Sequence, residues 1–402
     1  MSLSHYAFAK LIHPVTPEEF FAEYWEKKEL VVHRKNPSYY RDLLSYDAVD
    51  EVIGSIEHAH NDSHNDIVMG NFHDRVSQKD YTFPSGLIDV ARLYQKFDEG
   101  SSIALNHLHD RVPALANLCR SLEAELSTRF QANIYFTPPD AQCFPPHYDS
   151  HCVFALQCEG AKTWRLYDHP VTLPHHNQKF DPKEVPMGPL SRTFTLQSGD
   201  FVYCPRGLGH DADTKGLRES SLHITLGVLQ HTWTDLLLEA VAQLSLRDPE
   251  LRRSLPIGFA RPDFDRAASR AAYEKLLSHI AKKMDFETAM DFFVDDIIST
   301  RHPILLGQLR QIQALRQLDS VDRRAGRRPN LLYRIKDQGP AGTVKLQAYG
   351  GEVTLPAHTR EPLVYALEHD DYSIKALPGD LDDAGKLVLI RRLVLEGLVM
   401  LK

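Results

Sequence analysis

Between residue 131 and about residue 230 the chain is cut into short runs rich in β-branched and aromatic residues, and this punctuation limits the fold more than any other feature. ANIYFTP, HCVFALQC, KTWRLYD, SRTFTLQ, DFVYCP and SLHITLGVL are separated by Gly, Pro and Asp. Many short strands with turn signals between them close into a sandwich or barrel. EGAK at 159–162 and SGD at 198–200 read as hairpin turns.

The flanks have a different texture. In TPEEFFAEYWEKKE, Thr16 precedes two glutamates, the order of a helix N-terminus with Thr16 as cap. LVVHR reads as a short strand, and HNDSHND at 60–66 as a polar loop whose two histidines resemble a metal loop only superficially. Residues 111–130 have helical apolar spacing. From 231 to about 300, WTDLLLEAVAQLSL, YEKLLSHIAKKM and DFETAMDFFVDDII repeat apolar residues three and four apart. Some of their turns carry too few polar residues for a lone surface helix, so these helices are expected to pack on something, such as a second subunit. The arginines between 301 and 328 read as a solvated linker, with contact to RNA or an acidic peptide as the alternative. Beyond them, TVKLQAYGGEVTLP predicts two strands across Gly350–Gly351, and KLVLIRRLVLEGLVMLK a helix, Gly397 and a short strand.

Composition narrows the class. With 43% hydrophobic and 25% charged residues the chain has the profile of a soluble globular protein, and 402 residues suggest two or three domains. A net charge of -8 makes direct binding of nucleic acid along the surface a poor expectation. The apolar runs are too short for a membrane helix and the N-terminus lacks the order of a secretory signal, so a cytoplasmic location is expected. The five cysteines are odd in number and form no CxxC pair, which argues against a disulfide framework or a structural zinc site.

The stretch that carries chemistry is FPPHYDSHCVFALQCEGAKTWRLY, 144–167. If 147–157 is a strand, His147 and Asp149 point the same way and Tyr148 points away. A third ligand must come from elsewhere, and His210, after the Pro–Arg–Gly–Leu–Gly turn, begins a strand that can lie opposite. Two histidines and one carboxylate on one face of a metal leave the other positions open, the facial triad of non-heme Fe(II) oxygenases. A bare HxD is weak, and in a chain with 21 histidines its bland reading is surface polarity. The company it keeps sharpens it: prolines before, strands after, and a Gly–His about sixty residues on. His151 lies on the same face and competes as a ligand, although a place near the substrate cleft suits it better. Trp164, Trp233 and Tyr148 read as packing residues.

FFAEYWEKKELVVHR, NIYFTPP, the block HYDxxxxFxLQxEGxKxWRLY, PRGLGHDADT and SLHITLGVLQHTWTDLL together resemble the JmjC-type ribosomal oxygenases, cupin-like protein hydroxylases. The resemblance runs by motif from about residue 10 to 245, and by order of segments to the C-terminus. It implies an α+β chain: a double-stranded β-helix (jelly-roll) catalytic domain over 1–230, a helical dimerisation region over 231–320 and a winged-helix-like domain over 321–402. It also implies Fe(II) and 2-oxoglutarate as cofactors, a homodimer, and a protein or peptide substrate. Lys162 matches the lysine that holds the distal carboxylate of 2-oxoglutarate; read by itself it would be an exposed hairpin lysine. Asn133 and Tyr135 match positions lining the cosubstrate pocket, and their period-two spacing places both on one strand face.

Two positions depart from the pattern. Gly227 stands where relatives carry a serine that helps hold the cosubstrate, with Thr225 on the same strand face as the candidate substitute. His151–Cys152 stand where relatives often carry acidic residues. The family's ribosomal target therefore does not carry over by itself. The expected activity is hydroxylation of a protein side chain. Hydroxylation of a ribosomally made precursor peptide, methyl-lysine demethylation by the same chemistry, and a non-catalytic metal-binding cupin module are the alternatives.

Overall fold

The computed structural model describes residues 7–59, 66–73, 76–336 and 342–402. The HNDSHND loop therefore lies outside the described residues except for Asp66, whose carboxylate accepts from Arg111 at 2.8 Å. The chain divides into two compact units, Met1–Gln230 and His231–Lys402.

The first unit begins with α1 (Phe8–Ile12) and α2 (Pro17–Glu23), where the Thr16 side chain accepts from the Glu19 N–H as the sequence requires of a cap. Then follow β1 (Leu30–Val32), α3 (Tyr46–Ser55), β2 (Ile67–Gly70), α4 (Val90–Asp98), β3 (Ser102–Leu105) and α5 (Pro113–Leu126). The punctuated region supplies β4 (Arg129–Thr137), β5 (Cys152–Glu159), β6 (Ala161–Tyr167), β7 (Leu190–Gln197), β8 (Phe201–Cys204), β9 (Gly209–Asp213) and β10 (Ser221–Leu229). Seven strands form one sheet in the order β1-β8-β5-β10-β4-β3-β2, and three form the other, β7-β6-β9. This is the double-stranded β-helix that the resemblance implies.

Period-two alternation explains how the large sheet serves two surfaces. Phe130, Ala132 and Ile134 of β4, Phe154 and Leu156 of β5, and Ile224, Leu226 and Val228 of β10 are buried in one core with α1–α5. The intervening residues face the second sheet, where Val153, Ala155, Trp164, Leu166, Leu196 and Val202 form a smaller core. β5 is buried along almost its full length, which accounts for its unbroken apolar run.

EGAK and SGD are turns but not hairpins. β5 pairs with β8 and β10, whereas β6 pairs with β7 and β9, so EGAK carries the chain from one sheet to the other. SGD, between β7 and β8, carries it back. Gly160 adopts a φ of 65°, and a Cβ there would lie 1.9 Å from the Ser220 carbonyl oxygen. Only glycine passes at that point.

The second unit contains α6 (Trp233–Arg247), α7 (Ala267–Lys283), α8 (Phe286–Thr300), α9 (Gln308–Leu315), β11 (Arg324–Arg327), β12 (Arg334–Lys336), β13 (Thr343–Ala348), β14 (Gly351–Pro356), α10 (Arg360–Glu368), β15 (Tyr372–Ser373), α11 (Asp383–Leu395) and β16 (Val399–Leu401). Small sheets β15-β11-β16 and β12-β13-β14 pack with α10 and α11 around a core that includes Leu363, Ile374, Ile390 and Leu393. Helix α6 opens with a capping box in which Thr232 and Asp235 satisfy each other's backbone N–H, worth about 1 kcal/mol. The solvated linker expected at 301–328 is not what forms. α9 and β11 lie there, and Arg301 and Arg328 are 4% and 3% exposed. Arg328 donates to the carbonyls of Gly397 and Leu306 and to Gln308 Oε1, so it ties helix ends together. Arg324 and Arg327 pair with Asp371 and Asp370. Trp233, read as a packing residue, is 74% exposed.

Gly160→Ala is expected to destabilise the first unit by roughly 2–4 kcal/mol, because the new methyl meets a backbone carbonyl and the φ is strained. Chemical denaturation followed by tryptophan fluorescence checks this; an unchanged midpoint would show that the turn is not constrained.

Candidate active site

A cavity of about 400 Å³ opens between the two sheets. Its walls collect the inward members of β4 (Gln131, Asn133, Tyr135) and β10 (His223, Thr225, Gly227), together with His147, Asp149, His151, Lys162 and His210. All seven residues singled out from the sequence as site candidates thus line one cavity.

The three candidate ligands reach it differently from the expectation. β5 starts at Cys152, so His147 and Asp149 sit in the segment before the strand rather than within it. His147 is held by an isolated antiparallel bridge to His210, each N–H donating to the other's carbonyl at 3.0 and 2.8 Å. Two candidate ligands therefore face each other across one backbone pair. Asp149 is fixed in turn by its carbonyl, which accepts from the Gly207 N–H at 2.9 Å. The imidazole centroids of His147 and His210 are 4.7 Å apart, and His210 Nε2 lies 3.7 Å from Asp149 Oδ2. One ligand atom from each residue lies within 4.8 Å of the others, a spacing that a single ion can span.

The tautomers suit such an ion. His147 Nδ1 lies 2.8 Å from the Pro145 carbonyl and His210 Nδ1 lies 3.1 Å from the Leu208 carbonyl. A carbonyl only accepts, so each Nδ1 carries the proton and each Nε2 offers a lone pair. Burial, with the His147 imidazole next, pushes the His210 pKa below its ordinary value and keeps the ring neutral. Burial opposes ionisation of Asp149, but positive charge on the His210, His151 and His147 rings, when they are protonated, outweighs it and holds the carboxyl pKa below its usual value.

Lys162 enters from β6 and is 2% exposed, not on a hairpin surface. Its Nζ donates to Thr137 Oγ1 at 2.9 Å, and among the described residues no carboxylate pairs with it. Burial lowers its pKa to about 8, against the raising influence of Cys143 and Asp213. Such an ammonium lacks an anion. Asn133 Oδ1 accepts from the His107 N–H at 3.0 Å, which leaves its NH2 for a ligand. Among the described residues, Trp164 Nε1 and His223 Nδ1, both buried on this cavity, have no hydrogen-bond partner. Buried polar groups are rarely left so, and a bound polar molecule would satisfy them. The donor set thus fits both a metal and a carboxylate-bearing ligand.

Sequence reasoning missed His223, Gln131, Trp164 and Asp211 as cavity residues. Period two gave a signal for the first two, which lie two positions from Thr225 and Asn133 on their strands. Trp164, read as packing, stacks over His210 with centroids 5.9 Å apart. Tyr148 is buried against Phe180, as a packing residue should be.

Comparison with known proteins agrees with this architecture. The JmjC domain profile matches residues 107–236. A bifunctional lysine-specific demethylase and histidyl-hydroxylase NO66 from Aedes aegypti is 33% identical over 308 residues, covering 72% of this chain and 47% of the relative. Its Drosophila erecta counterpart is 33% identical over 261 residues, covering 61% and 38%. The chain therefore spans about half, or less, of the length of these curated relatives. Among solved structures, Escherichia coli ribosomal oxygenase YcfD aligns with a TM-score of 0.52 at 16% identity, covering 96% of this chain and 98% of that one. YcfD in complex with cobalt and 2-oxoglutarate aligns with a TM-score of 0.51 at 16% identity, covering 97% and 99%. The chain therefore carries a stretch matching the JmjC domain, over residues 107–236, and has the fold of the ribosomal oxygenase YcfD.

Proposed function

We propose that this chain is an Fe(II)- and 2-oxoglutarate-dependent oxygenase that hydroxylates a side chain of a protein or peptide. The observation that carries the reading is a two-histidine, one-carboxylate set on the wall of a cavity that also holds a buried, uncompensated ammonium. The cobalt and 2-oxoglutarate bound to YcfD, and the hydroxylase name of the NO66 relatives, support the same chemistry.

In this reading His147, Asp149 and His210 hold the metal, with the two Nε2 lone pairs aimed by the Pro145 and Leu208 carbonyls. When bound, Fe(II) and 2-oxoglutarate supply the oxidising power, the 2-oxo acid leaving as succinate and CO2 while one oxygen atom of O2 enters a substrate C–H bond. Lys162 grips the distal carboxylate through a charge-assisted contact that orients the cosubstrate. Asn133, Tyr135 and Thr225 line its bed. The core of Val153, Trp164 and Leu166 between the sheets limits water at the closed end. Hydrogen abstraction needs no general base, so none is assigned.

Demethylation is a second reading, favoured by the demethylase half of the relatives' name. A gain of one oxygen in the product mass supports hydroxylation, and loss of a methyl group supports the alternative. An intact ligand set with Lys162 favours an enzyme over a metal-binding interaction module. Among the described residues no helix is long and apolar enough to cross a membrane. A cytoplasmic site of action is proposed, in keeping with the ribosomal role in the name of the YcfD neighbour. We further propose a homodimer through the helices of 231–320. Trp233, Leu238 and Leu246 of α6 are 74%, 64% and 72% exposed, a large apolar surface for a single chain.

Four outcomes are expected. His147→Ala or Asp149→Ala removes succinate formation dependent on Fe(II) and 2-oxoglutarate, while circular dichroism reports a folded barrel; wild-type turnover by either in metal-defined buffer would refute the ligand assignment. Lys162→Ala weakens 2-oxoglutarate roughly 10- to 100-fold, the worth of a charged hydrogen bond. Because only the ammonium binds a carboxylate and its pKa sits at about 8, the wild-type affinity falls as pH rises through that value. Titration calorimetry with Mn(II) in place of iron reads both effects, and an affinity independent of pH and of Lys162 would remove its role. Light scattering should return twice the 45.7 kDa chain mass, with Leu238→Glu shifting it toward one; a wild-type monomer would end the dimer proposal.

A further inference from the structure

How deep the Lys162 ammonium sits decides how long an acid can reach between it and the candidate ligand set, and strand register shows what sets that depth. The inward residues of β4 and β10 pair in four rows: Gln131 with Gly227, Asn133 with Thr225, Tyr135 with His223, and Thr137 with Ser221. Gln131 is half-exposed and Thr137 is fully buried, so the rows run from the open end of the cavity to the closed one. Lys162 reaches the last row, where its Nζ donates to Thr137 Oγ1 at 2.9 Å. Among the described residues that hydroxyl is its one hydrogen-bond acceptor.

The acceptor is itself held in place. β3 pairs with β4, Ile103 opposite Phe136, which brings Ser102 to the level of Thr137, and the Ser102 hydroxyl donates to Thr137 Oγ1 at 3.2 Å. Ser221, across from Thr137 on β10, is engaged by the Gln157 amide at 2.9 Å. Thr137 Oγ1 is thus tied to the backbone of the large sheet through a β-branched side chain with little freedom. The lysine stem, by contrast, is flexible and takes its position from whatever its ammonium binds. Ser102, Thr137 and Lys162 are all buried, so this cation has no water to turn to in place of the hydroxyl. One N–H of the ammonium goes to Thr137, and two remain for a carboxylate. The candidate ligands are fixed as firmly, by the backbone bridge between His147 and His210. Two backbone frameworks therefore set the span between cation and ligand set. A diacid one methylene shorter or longer would lose one contact or strain both.

We propose that Thr137, backed by Ser102, is a positioning residue that anchors the Lys162 ammonium at the closed end and thereby selects the length of the 2-oxo diacid, admitting the five-carbon acid over its shorter and longer homologues. This deepens the assignment of Lys162 to the cosubstrate and rests on it.

The test is titration calorimetry on the full chain with Mn(II), comparing 2-oxoglutarate with oxaloacetate, one methylene shorter, and 2-oxoadipate, one methylene longer. The wild type is expected to favour 2-oxoglutarate over both by at least about tenfold in Kd. Thr137→Val keeps the shape of the side chain and removes the acceptor, so the freed ammonium can follow acids of other lengths. It should weaken 2-oxoglutarate more than the other two, and both ratios should fall at least about threefold. Thr137→Ser, which keeps the hydroxyl, should restore the wild-type ratios. Ser102→Ala loosens the acceptor and should lower the ratios in the same direction, so it carries the test if circular dichroism shows Thr137→Val to be unfolded. A wild type indifferent to length, an equal loss for all three acids, or ratios untouched by both Thr137→Val and Ser102→Ala would overturn the anchor, while binding of 2-oxoglutarate that still depends on Lys162 keeps the cosubstrate reading in place. A wild type that binds none of the three acids would overturn the two together.

Discussion

Two backbone hydrogen bonds between His147 and His210 hold the site together. They join the irregular segment before β5 to the start of β9, two stretches about sixty residues apart in the chain. Without that bridge the HxD pair would be tied to the β9 region only through the Gly207 N–H bond to the Asp149 carbonyl and the Gln142–Asp213 bridge, and the distance to the third candidate ligand would be set less directly. With it, the alignment is a matter of backbone geometry, and the side chains need only the right tautomers. The Pro145 and Leu208 carbonyls provide those.

The large sheet does the rest by alternation. One face packs Ile134, Phe154 and Ile224 against the N-terminal helices, and the other lays Asn133, Tyr135, His223 and Thr225 along the cavity. A strand of this kind must alternate strongly apolar and polar residues, which is what ANIYFTP and SLHITLGVL contain. The same two strands, β4 and β10, therefore stabilise the fold with one set of residues and space the polar groups with the alternate set, two residues apart. Lys162 completes this arrangement from the opposing sheet. Its burial is costly unless an anion arrives, and that cost is the physical mark of a binding site rather than of a stabilising contact.

How much of this was legible in the sequence depended on range. Local signals gave the strands of the core, the Thr16 cap and the facing of Asn133 with Tyr135, because each follows from neighbours a few residues away. Pairing is not local. EGAK has the composition of a hairpin turn, and nothing within it tells that β6 leaves the sheet of β5. Arg301 and Arg328 look like solvated charge until Leu306, just before α9, and Gly397 supply the carbonyls that accept from Arg328. The burial of Lys162 was likewise invisible to spacing and came only through family resemblance. Gly227 and His151 read as unrelated departures until the register placed Gly227 between Gln131 and His151.

The central claim is that one ion is shared by three side chains drawn from two distant segments. Anomalous diffraction from a crystal of the protein soaked with Co(II) and 2-oxoglutarate addresses it directly. The account predicts a single strong peak at about 2.0–2.2 Å from the Nε2 atoms of His147 and His210 and a carboxylate oxygen of Asp149, a metal–ligand distance typical of such donors. Metal bound elsewhere, or no peak among these three residues, would contradict it.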